Sequence, residues 1–122
     1  MAQDIGKEIA LILKDYTIEV ERTLEKEAAR IATETAKELR STSPRSKKTG
    51  RHYADGWTKK KTPEGQVVYN KNKPSLTHLL EKGHAKVGGD RVAGTPHIEP
   101  AEKRAIQDFE NSVIREIERS SN

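Results

Sequence analysis

The chain has 122 residues, of which 34% are charged and only 32% are hydrophobic, and its formal net charge is +4. One domain of this length can form one core, but so little apolar material favours an elongated or oligomeric protein over a compact monomer. The absence of cysteine excludes a disulfide framework, a thiolate nucleophile and a cysteine-bound zinc site. No apolar run approaches the ~20 residues of a membrane span, and the charged N-terminus is unlike a signal peptide, so we expect no membrane partner.

The first predicted element is one long helix over residues 1–40, with Asp4 as its candidate N-cap. Apolar and β-branched residues recur at steps of three and four, as they do along one face of a helix. They are Ile5, Ile9, Ile12, Leu13, Tyr16, Val20, Leu24, Ala28, Ile31, Thr35 and Leu39. From Asp4 to Arg40 such a helix spans roughly 54 Å at about 1.5 Å per residue, whereas a compact domain of this size has a radius of gyration of only ~14 Å. We therefore expect it to bend or to project, and a projecting apolar stripe needs a partner chain.

The middle of the chain predicts a polar loop followed by a β-hairpin. Residues 41–50 are polar and basic and contain Pro44 and Gly50, which are typical of a loop. Residues 53–61 and 66–70 are predicted strands. Residues 62–65, "TPEG", predict the turn between them because proline stands in its second place.

A short helix and a long amphipathic helix are predicted in the last third. The short one covers residues 74–83, with Ser75 as N-cap, a buried face of three leucines and Gly83 in the left-handed conformation at its end. The last helix covers residues 100–120, and Pro100 lies in its first turn. Its apolar face comprises Ile106, Phe109, Val113 and Ile117. We expect this face to pack against the first helix between residues 24 and 39.

This order of elements predicts one α+β domain over residues 1–122. It has a long N-terminal helix in residues 1–40 and a C-terminal amphipathic helix in residues 100–120. Residues 41–99 contain a small antiparallel sheet with a β-hairpin, the short helix and a glycine-rich loop.

The glycine-rich stretch from residue 83 to residue 97 admits several interpretations. It is not followed by the Lys-Ser/Thr and the helix that a Walker phosphate loop requires, so Gly88 and Gly89 favour a turn in a hairpin or flexible loop. Candidate metal ligands lie in or near it, but their spacing matches no zinc motif. They are His78, Glu81, His84, Asp90 and His97. We expect the histidines to bond backbone groups or to pack at the sheet edge, and we predict neither a metal nor a cofactor.

Basic residues are concentrated in residues 40–61, where Asp55 is the only acid. Basic groups neutralise phosphates, and Tyr53 and Trp57 are candidates for stacking on bases. The candidate DNA-facing residues are Arg45, Lys47, Lys48, Arg51, Lys59, Lys60 and Lys61. No sequence-specific binding motif is present, so the alternatives are non-specific contact with DNA and a basic hairpin that only faces solvent.

Several segments, taken in order, resemble a phage family: "SPRSKKTGRHYADGW", "VVYNK", "LTHLLEKGHAKVGGDRVAGTPHIEPA" and the closing amphipathic helix. The family is the tail-component (neck or tail-completion) family of Hong Kong 97-type long-tailed phages, especially those of Gram-positive bacteria. The similarity covers roughly residues 43–117. It implies a virion structural protein of the head–tail joint, made in the host cytoplasm, without enzymatic activity. It also implies a ring, commonly of six copies, around the DNA channel, with other connector and tail proteins as partners.

In that interpretation the glycine-rich stretch is an assembly loop that contacts a neighbouring subunit. Its candidate residues are Gly83, His84, Gly88, Gly89, Arg91, Gly94 and His97. Because it contains no aliphatic residue larger than valine, we expect it to lack a fixed shape of its own and to become ordered on assembly. Two other classes stay open: a small basic nucleic-acid-binding protein, and a ribonuclease-like toxin that uses histidine as acid and base.

Overall fold

A computed structural model describes residues 5–45, 52–85 and 88–120. Three helices and two strand pairs follow one another along the chain, with two short 3₁₀ turns at Ala54–Gly56 and Pro74–Leu76. They are α1 (Ile5–Thr42), β1 (Trp57–Thr62), β2 (Gly65–Asn70), α2 (Thr77–Lys82), β3 (Gly83–Ala85), β4 (Arg91–Ala93) and α3 (Ile98–Ser120). This architecture confirms the predicted α+β fold, and its long first helix ends two residues later than predicted. The candidate cap Asp4 lies outside the described residues.

The predicted hairpin is confirmed, but its first strand begins later than expected. β1 pairs with β2 in antiparallel register from Trp57 opposite Asn70 to Thr62 opposite Gly65. Residues 53–56, predicted as strand, instead form the 3₁₀ turn, with Tyr53 in the right-handed helical region. With this turn in the backbone, Tyr53 and Trp57 both pack in the core. A strand that continued through residues 53–56 would follow a different path. The turn also requires Gly56, because a Cβ there would lie 2.4 Å from Oδ1 of Asn70.

The short helix is confirmed, although two details of its prediction are wrong. Ser75 is not its cap: it lies inside the 3₁₀ turn, and neither that turn nor α2 has a side-chain cap. Leu76 and Leu80 pack against the core, but Leu79 is exposed because α2 is short and only one side of it faces the domain. Gly83 ends the helix with a φ of +78°, as expected for a glycine there, and its N–H bonds to the carbonyl of Leu79.

The core is small and lies at the C-terminal end of α1. It combines Ala36 and Leu39 of α1, Tyr53 at the 3₁₀ turn, Trp57 of β1, and Ala101 of α3. Partly buried side chains from the hairpin, α2 and the start of α3 pack around this cluster: Val68, Leu76, Leu80 and Ile98. Since the core contacts only the last turns of α1, the opposite end of that helix receives little support from the rest of the domain.

Helix α3 packs antiparallel along α1, but with a different face from the one predicted. Its buried residues are Ala101, Ser112 and Glu116, whereas Ile106 and Ile117 are 51% and 60% exposed. The small side chains of Ala101 and Ser112 allow the two helix backbones to approach closely, which bulky isoleucines at the contact would prevent. The expectation that the two helices pack together is therefore right, and the expectation that the isoleucine stripe forms the contact is wrong.

Charged groups connect the two helices along this contact. Arg30 of α1 bonds to Glu27 at 2.7 Å and to Asp108 of α3 at 3.3 Å, and the hydroxyl of Ser112 donates to Glu27 at 3.0 Å. Hydrogen bonds from Arg30 and Ser112 lower the pKa of Glu27. Since hydrogen-bonded ion pairs are sensitive to geometry, they fix the position of α3 along α1. Among the described residues, no helix is long and apolar enough to cross a membrane.

Candidate assembly surfaces and basic hairpin

His97, predicted as part of the assembly loop, is buried in the core. Its ring packs edge-on against Tyr53 and Trp57, with centroid distances of 5.6 and 6.3 Å. Nδ1 lies 2.7 Å from the carbonyl oxygen of Thr95, and Nε2 lies 2.8 Å from the hydroxyl of Tyr53. A carbonyl oxygen can only accept, so Nδ1 donates to Thr95, and Nε2 shares a hydrogen bond with the hydroxyl of Tyr53. The expectation that a histidine here bonds a backbone group is confirmed for His97, and a contact of this residue with a neighbouring subunit stays a prediction.

Glu81 of α2 caps the N-terminus of α3 from a distance of sixteen positions in the chain. Its carboxylate accepts hydrogen bonds from the backbone N–H groups of His97, Ile98 and Glu99 at 2.7, 2.8 and 3.0 Å. Burial raises the pKa of Glu81, but the three backbone donors outweigh burial and the net pKa is lowered. These N–H groups have no partner within the helix, so one carboxylate supplies what a local cap residue normally provides.

The two ends of the glycine-rich stretch pair with each other as strands. β3 and β4 are antiparallel, with Gly83 opposite Ala93 and His84 opposite Val92. A Cβ on Gly83 would lie 2.1 Å from the carbonyl oxygen of Val92, and one on Gly94 would lie 2.4 Å from that of Glu81. Both glycines are therefore required because backbone meets backbone where this second hairpin joins α2.

The tip of the second hairpin, residues 88–90, is exposed to solvent. Gly88 and Gly89 have φ angles of +107° and +101°, and open space surrounds the position of a Cβ on each. His84 is exposed, and Arg91 donates to the carbonyl of Lys82 at 2.9 Å. The expectation that this stretch has no fixed shape is wrong for residues 83–85 and 91–93, because backbone pairing can order a segment that lacks large side chains. Its contact with a neighbouring subunit stays a prediction.

The five candidate metal ligands do not converge. Only Glu81 and His97 come together, with Oε1 of Glu81 3.0 Å from Nδ1 of His97. Oε1 already accepts from the backbone N–H groups of His97 and Ile98, and Nδ1 already bonds to the carbonyl of Thr95. His78 and His84 are exposed on α2 and β3. Within residues 5–45, 52–85 and 88–120, no group of three or more potential ligands could hold a metal ion.

The three consecutive lysines of the first hairpin have different surroundings. Lys59 is half-buried, and its Nζ donates to the carbonyl of Ala29 on α1 at 3.2 Å. Lys60 lies on the other face of the hairpin, with its Nζ 5.0 Å from the ring centroid of Tyr69, a cation–π arrangement. Lys61 is exposed beside the turn. Lys60 and Lys61 can therefore reach a phosphate backbone, whereas Lys59 fastens the hairpin to α1.

The other predicted DNA-facing groups fall into two sets. Arg45 is exposed, and it bonds to Asp55 at 2.9 Å and to the carbonyl of Arg40 at 3.2 Å. The candidates Lys47, Lys48 and Arg51 lie outside the described residues. The proposal that Tyr53 and Trp57 stack on bases is wrong, because both rings are buried. Tyr69 is the aromatic residue of the hairpin that remains accessible.

Sequence reasoning missed several residues that hold these surfaces in place. Asn70 is buried; its Nδ2 donates to the carbonyl of Tyr53 at 2.7 Å, and its Oδ1 accepts from the backbone N–H of Lys73 at 2.9 Å. The indole N–H of Trp57 donates to Ser43 at 2.8 Å. Only the turn-forming preference of asparagine could have indicated Asn70, and no local signal pairs Trp57 with Ser43. Residues that the quoted motifs contain, such as Trp57, Asn70 and His97, thus serve the core.

The described residues form a small α+β protein whose exposed features include apolar residues on α1 and α3, a basic hairpin and a glycine-tipped hairpin. A family model described as "Bacteriophage HK97-gp10, putative tail-component" matches residues 7–83. The match covers more than half of the chain, and the chain therefore belongs to this family of bacteriophage tail components. No curated protein and no solved structure matches it.

The matched residues comprise almost all of α1, the first hairpin and α2. The resemblance noted in the sequence spans residues 43–117, so the two agree over residues 43–83 and confirm the same family. The long helix, which the sequence motifs did not include, is part of the matched region. The family assignment makes the chain a virion-associated structural component of the phage tail.

Proposed function

We propose that the chain acts at the head–tail joint, as a neck or tail-completion protein that assembles into a ring with six copies. Its membership in a tail-component family supports a structural role in the virion. The observation that carries the proposal is the long α1, whose N-terminal part extends beyond the small core with apolar side chains in water. A lone subunit gains nothing from exposing them, whereas a ring of subunits buries them.

The experiment that tests this role is deletion of the gene from the phage or prophage that encodes it. A joint protein is expected to leave filled heads and complete tails that fail to attach to each other, as seen by negative-stain electron microscopy. Complementation in trans should restore attached particles. Normal infectious particles without the protein would refute the proposed role, and the absence of tails would point to a component of tail assembly itself.

The number of copies has its own measurement. Native mass spectrometry of the protein, and its copy number relative to the tail-tube protein in purified particles, should give six.

The tip of the second hairpin, residues 88–90, is proposed to contact a neighbour, so its amides should exchange rapidly in the isolated protein and slowly in the ring. Equal rates of amide exchange in the isolated protein and in the ring would contradict a contact between the tip and a neighbouring subunit.

We further propose that the first hairpin faces DNA in the channel, through non-specific contact of Lys60 and Lys61 with phosphates. Replacing both by glutamine should weaken DNA binding and reduce the slope of log K against log salt by about 2, since each phosphate contact contributes about 0.9. The control replaces Lys37 and Lys103, exposed lysines on the helices, and removes the same charge. Equal weakening by both pairs would reduce the effect to net charge and contradict a specific DNA-facing hairpin.

A further inference from the structure

The first hairpin has two sides, and the proposed contact of Lys60 and Lys61 with DNA leaves the side unspecified. Consecutive residues of a strand point to opposite sides of a sheet. Lys59 bonds to the carbonyl of Ala29 on α1, so its side of the hairpin faces α1 and the side that carries Lys60 faces outward. This outer side and the side that faces α1 differ in charge and in shape.

The outer side carries two lysines and a tyrosine in one row. Lys60 lies opposite Val67, and Tyr69 is two residues further along the same side. Lys71 directly follows β2 and is exposed, and its N–H donates to the carbonyl of Gly56 at 2.9 Å, which continues the hairpin pairing by one residue. From the level of Lys60 to Lys71 the row spans about 13 Å at about 3.3 Å per residue. One DNA strand carries about four phosphates over that length.

The ammonium group of Lys60 is held in place without losing its charge. Its Nζ lies 5.0 Å from the ring centroid of Tyr69, and an aromatic ring attracts a cation but does not neutralise it. A carboxylate partner, in contrast, would offset the charge that attracts a phosphate. Within the part of the chain that the structure describes, neither Lys60 nor Lys71 forms an ion pair.

A groove extends the outer side toward α2. It has a volume of about 650 Å³, and Tyr69, Lys71, Thr77 and His78 contribute to its walls. None of the described residues that line it carries a carboxylate. A phosphate that enters this groove therefore meets ammonium, hydroxyl and imidazole groups and no like charge.

The side of the hairpin that faces α1 is less favourable for DNA. A cleft of about 580 Å³ lies there, between α1 and the turn of the hairpin. Two carboxylates and three basic groups line it: Glu25, Glu64, Arg22, Lys26 and Lys61. Because the carboxylates repel phosphates, this side attracts DNA less than the outer side does.

We propose that duplex DNA runs along the outer side of the first hairpin, from Lys60 across Tyr69 to Lys71 and His78. This inference rests on the proposed contact of the hairpin with DNA, and it names the side and the further residues that form the contact. The partner is the phosphate backbone, because ammonium and hydroxyl groups bind phosphates without reading sequence. Lys60 covers one face of the Tyr69 ring, which opposes the stacking of bases that single-stranded DNA requires.

Fluorescence anisotropy of a short labelled duplex at low salt tests the choice of side. Lys60→Gln with Lys71→Gln should weaken binding and reduce the slope of log K against log salt by about 2, since each phosphate contact contributes about 0.9. The matched control is Arg22→Gln with Lys26→Gln, which removes the same charge from the cleft that faces α1. It should change the slope by less than about 0.5. All four side chains are exposed, so the urea midpoints of both variants should equal that of the wild type.

Tyr69→Phe tests the hydroxyl group on its own. The ring and its contact with Lys60 remain, and only the donor to a phosphate oxygen is lost. Binding should weaken about threefold, as for one hydrogen bond, and the salt slope should stay the same because no charge is removed. Unchanged affinity of this variant would contradict the contact of Tyr69 with DNA.

The results distinguish this inference from the proposals on which it rests. A reduced slope in the variant of Arg22 and Lys26, with none in that of Lys60 and Lys71, would overturn the outer side and retain contact between the hairpin and DNA. Tighter binding of a single strand of the same length, or displacement of the duplex by polyglutamate of equal charge, would overturn duplex DNA as the partner. No measurable binding by the wild type would overturn both this inference and the DNA-facing hairpin. The role at the head–tail joint would still be decided by deletion of the gene.

Discussion

Replacing Glu81 by glutamine tests the capping of α3 from a distance. The carboxylate accepts three backbone N–H bonds at the start of the helix. Glutamine keeps one acceptor oxygen but loses the charge and the second oxygen. A lost N-cap costs ~1 kcal/mol, and a hydrogen bond to a charged group is worth about 1.5–3 kcal/mol. Since one oxygen remains, we expect the variant to lose about 2 kcal/mol of unfolding free energy at neutral pH.

The loss should depend on pH in a defined direction. The folded state lowers the pKa of Glu81 below its ordinary value of 4.5, so the ionised carboxylate stabilises the fold fully above pH 4.5. That contribution disappears as the pH falls through the lowered folded pKa, because both states then bind the proton. The difference in unfolding free energy between wild type and Glu81→Gln should therefore be widest near neutral pH and should narrow as the pH falls below 4.5 and through the lowered folded pKa.

Urea denaturation provides the measurement, followed by the fluorescence of Trp57, which is the only tryptophan and is buried. Experiments at low protein concentration keep assembly from contributing. The control is Glu64→Gln in the exposed turn of the first hairpin, which should change the midpoint little at any pH. A loss below about 0.5 kcal/mol for Glu81→Gln, or an equal loss at neutral and acid pH, would refute the capping argument.

Three further substitutions test the packing, each by its urea midpoint. Ala101→Leu should cost about 1–3 kcal/mol, because it overfills the core cluster in which Ala101 is buried with Ala36 and Leu39 of α1; a neutral effect would mean that the core can make room there. Gly94→Ala should cost about 2 kcal/mol or more, since its Cβ meets a carbonyl at 2.4 Å and backbone cannot move aside as a side chain can; an unchanged midpoint would contradict that contact. Phe109→Ala should cost only about 1–2 kcal/mol, because the ring is half-buried, whereas a buried phenylalanine loses 3–5 kcal/mol; a loss in that higher range would place Phe109 in the core.

The elements that the sequence predicted correctly are those with a local cause. The stripe from Val20 to Leu39 repeats at the helical period, and α1 follows it. The "TPEG" turn sets the register of the first hairpin. Gly83 ends α2 because only glycine adopts its positive φ without strain. The family was also recognisable from sequence, because the core residues of the hairpin region lie in short, closely spaced motifs.

The features that the sequence did not reveal depend on contacts between distant segments. Tyr53 was predicted as strand, but its burial against His97, 44 positions away, favours a 3₁₀ turn. The carboxylate of Glu81 made it a candidate metal ligand in the sequence, and only the position of α3 shows that it caps the N-terminus of that helix. Of the three consecutive lysines, Lys59 is the one that bonds to α1, because its Nζ reaches the carbonyl of Ala29. The sequence alone cannot show this, since it depends on where α1 lies.

The face that α3 presents to α1 illustrates the same division most clearly. The period of its apolar residues predicted a helix over residues 100–120, since that preference is a property of the local chain, and α3 begins two residues earlier. It could not determine the side that is buried, because close approach of two helices depends on the small residues Ala101 and Ser112 and on the ion pair of Arg30 with Asp108. Only the tertiary structure therefore shows that Ile106, Ile114 and Ile117 of α3 face outward.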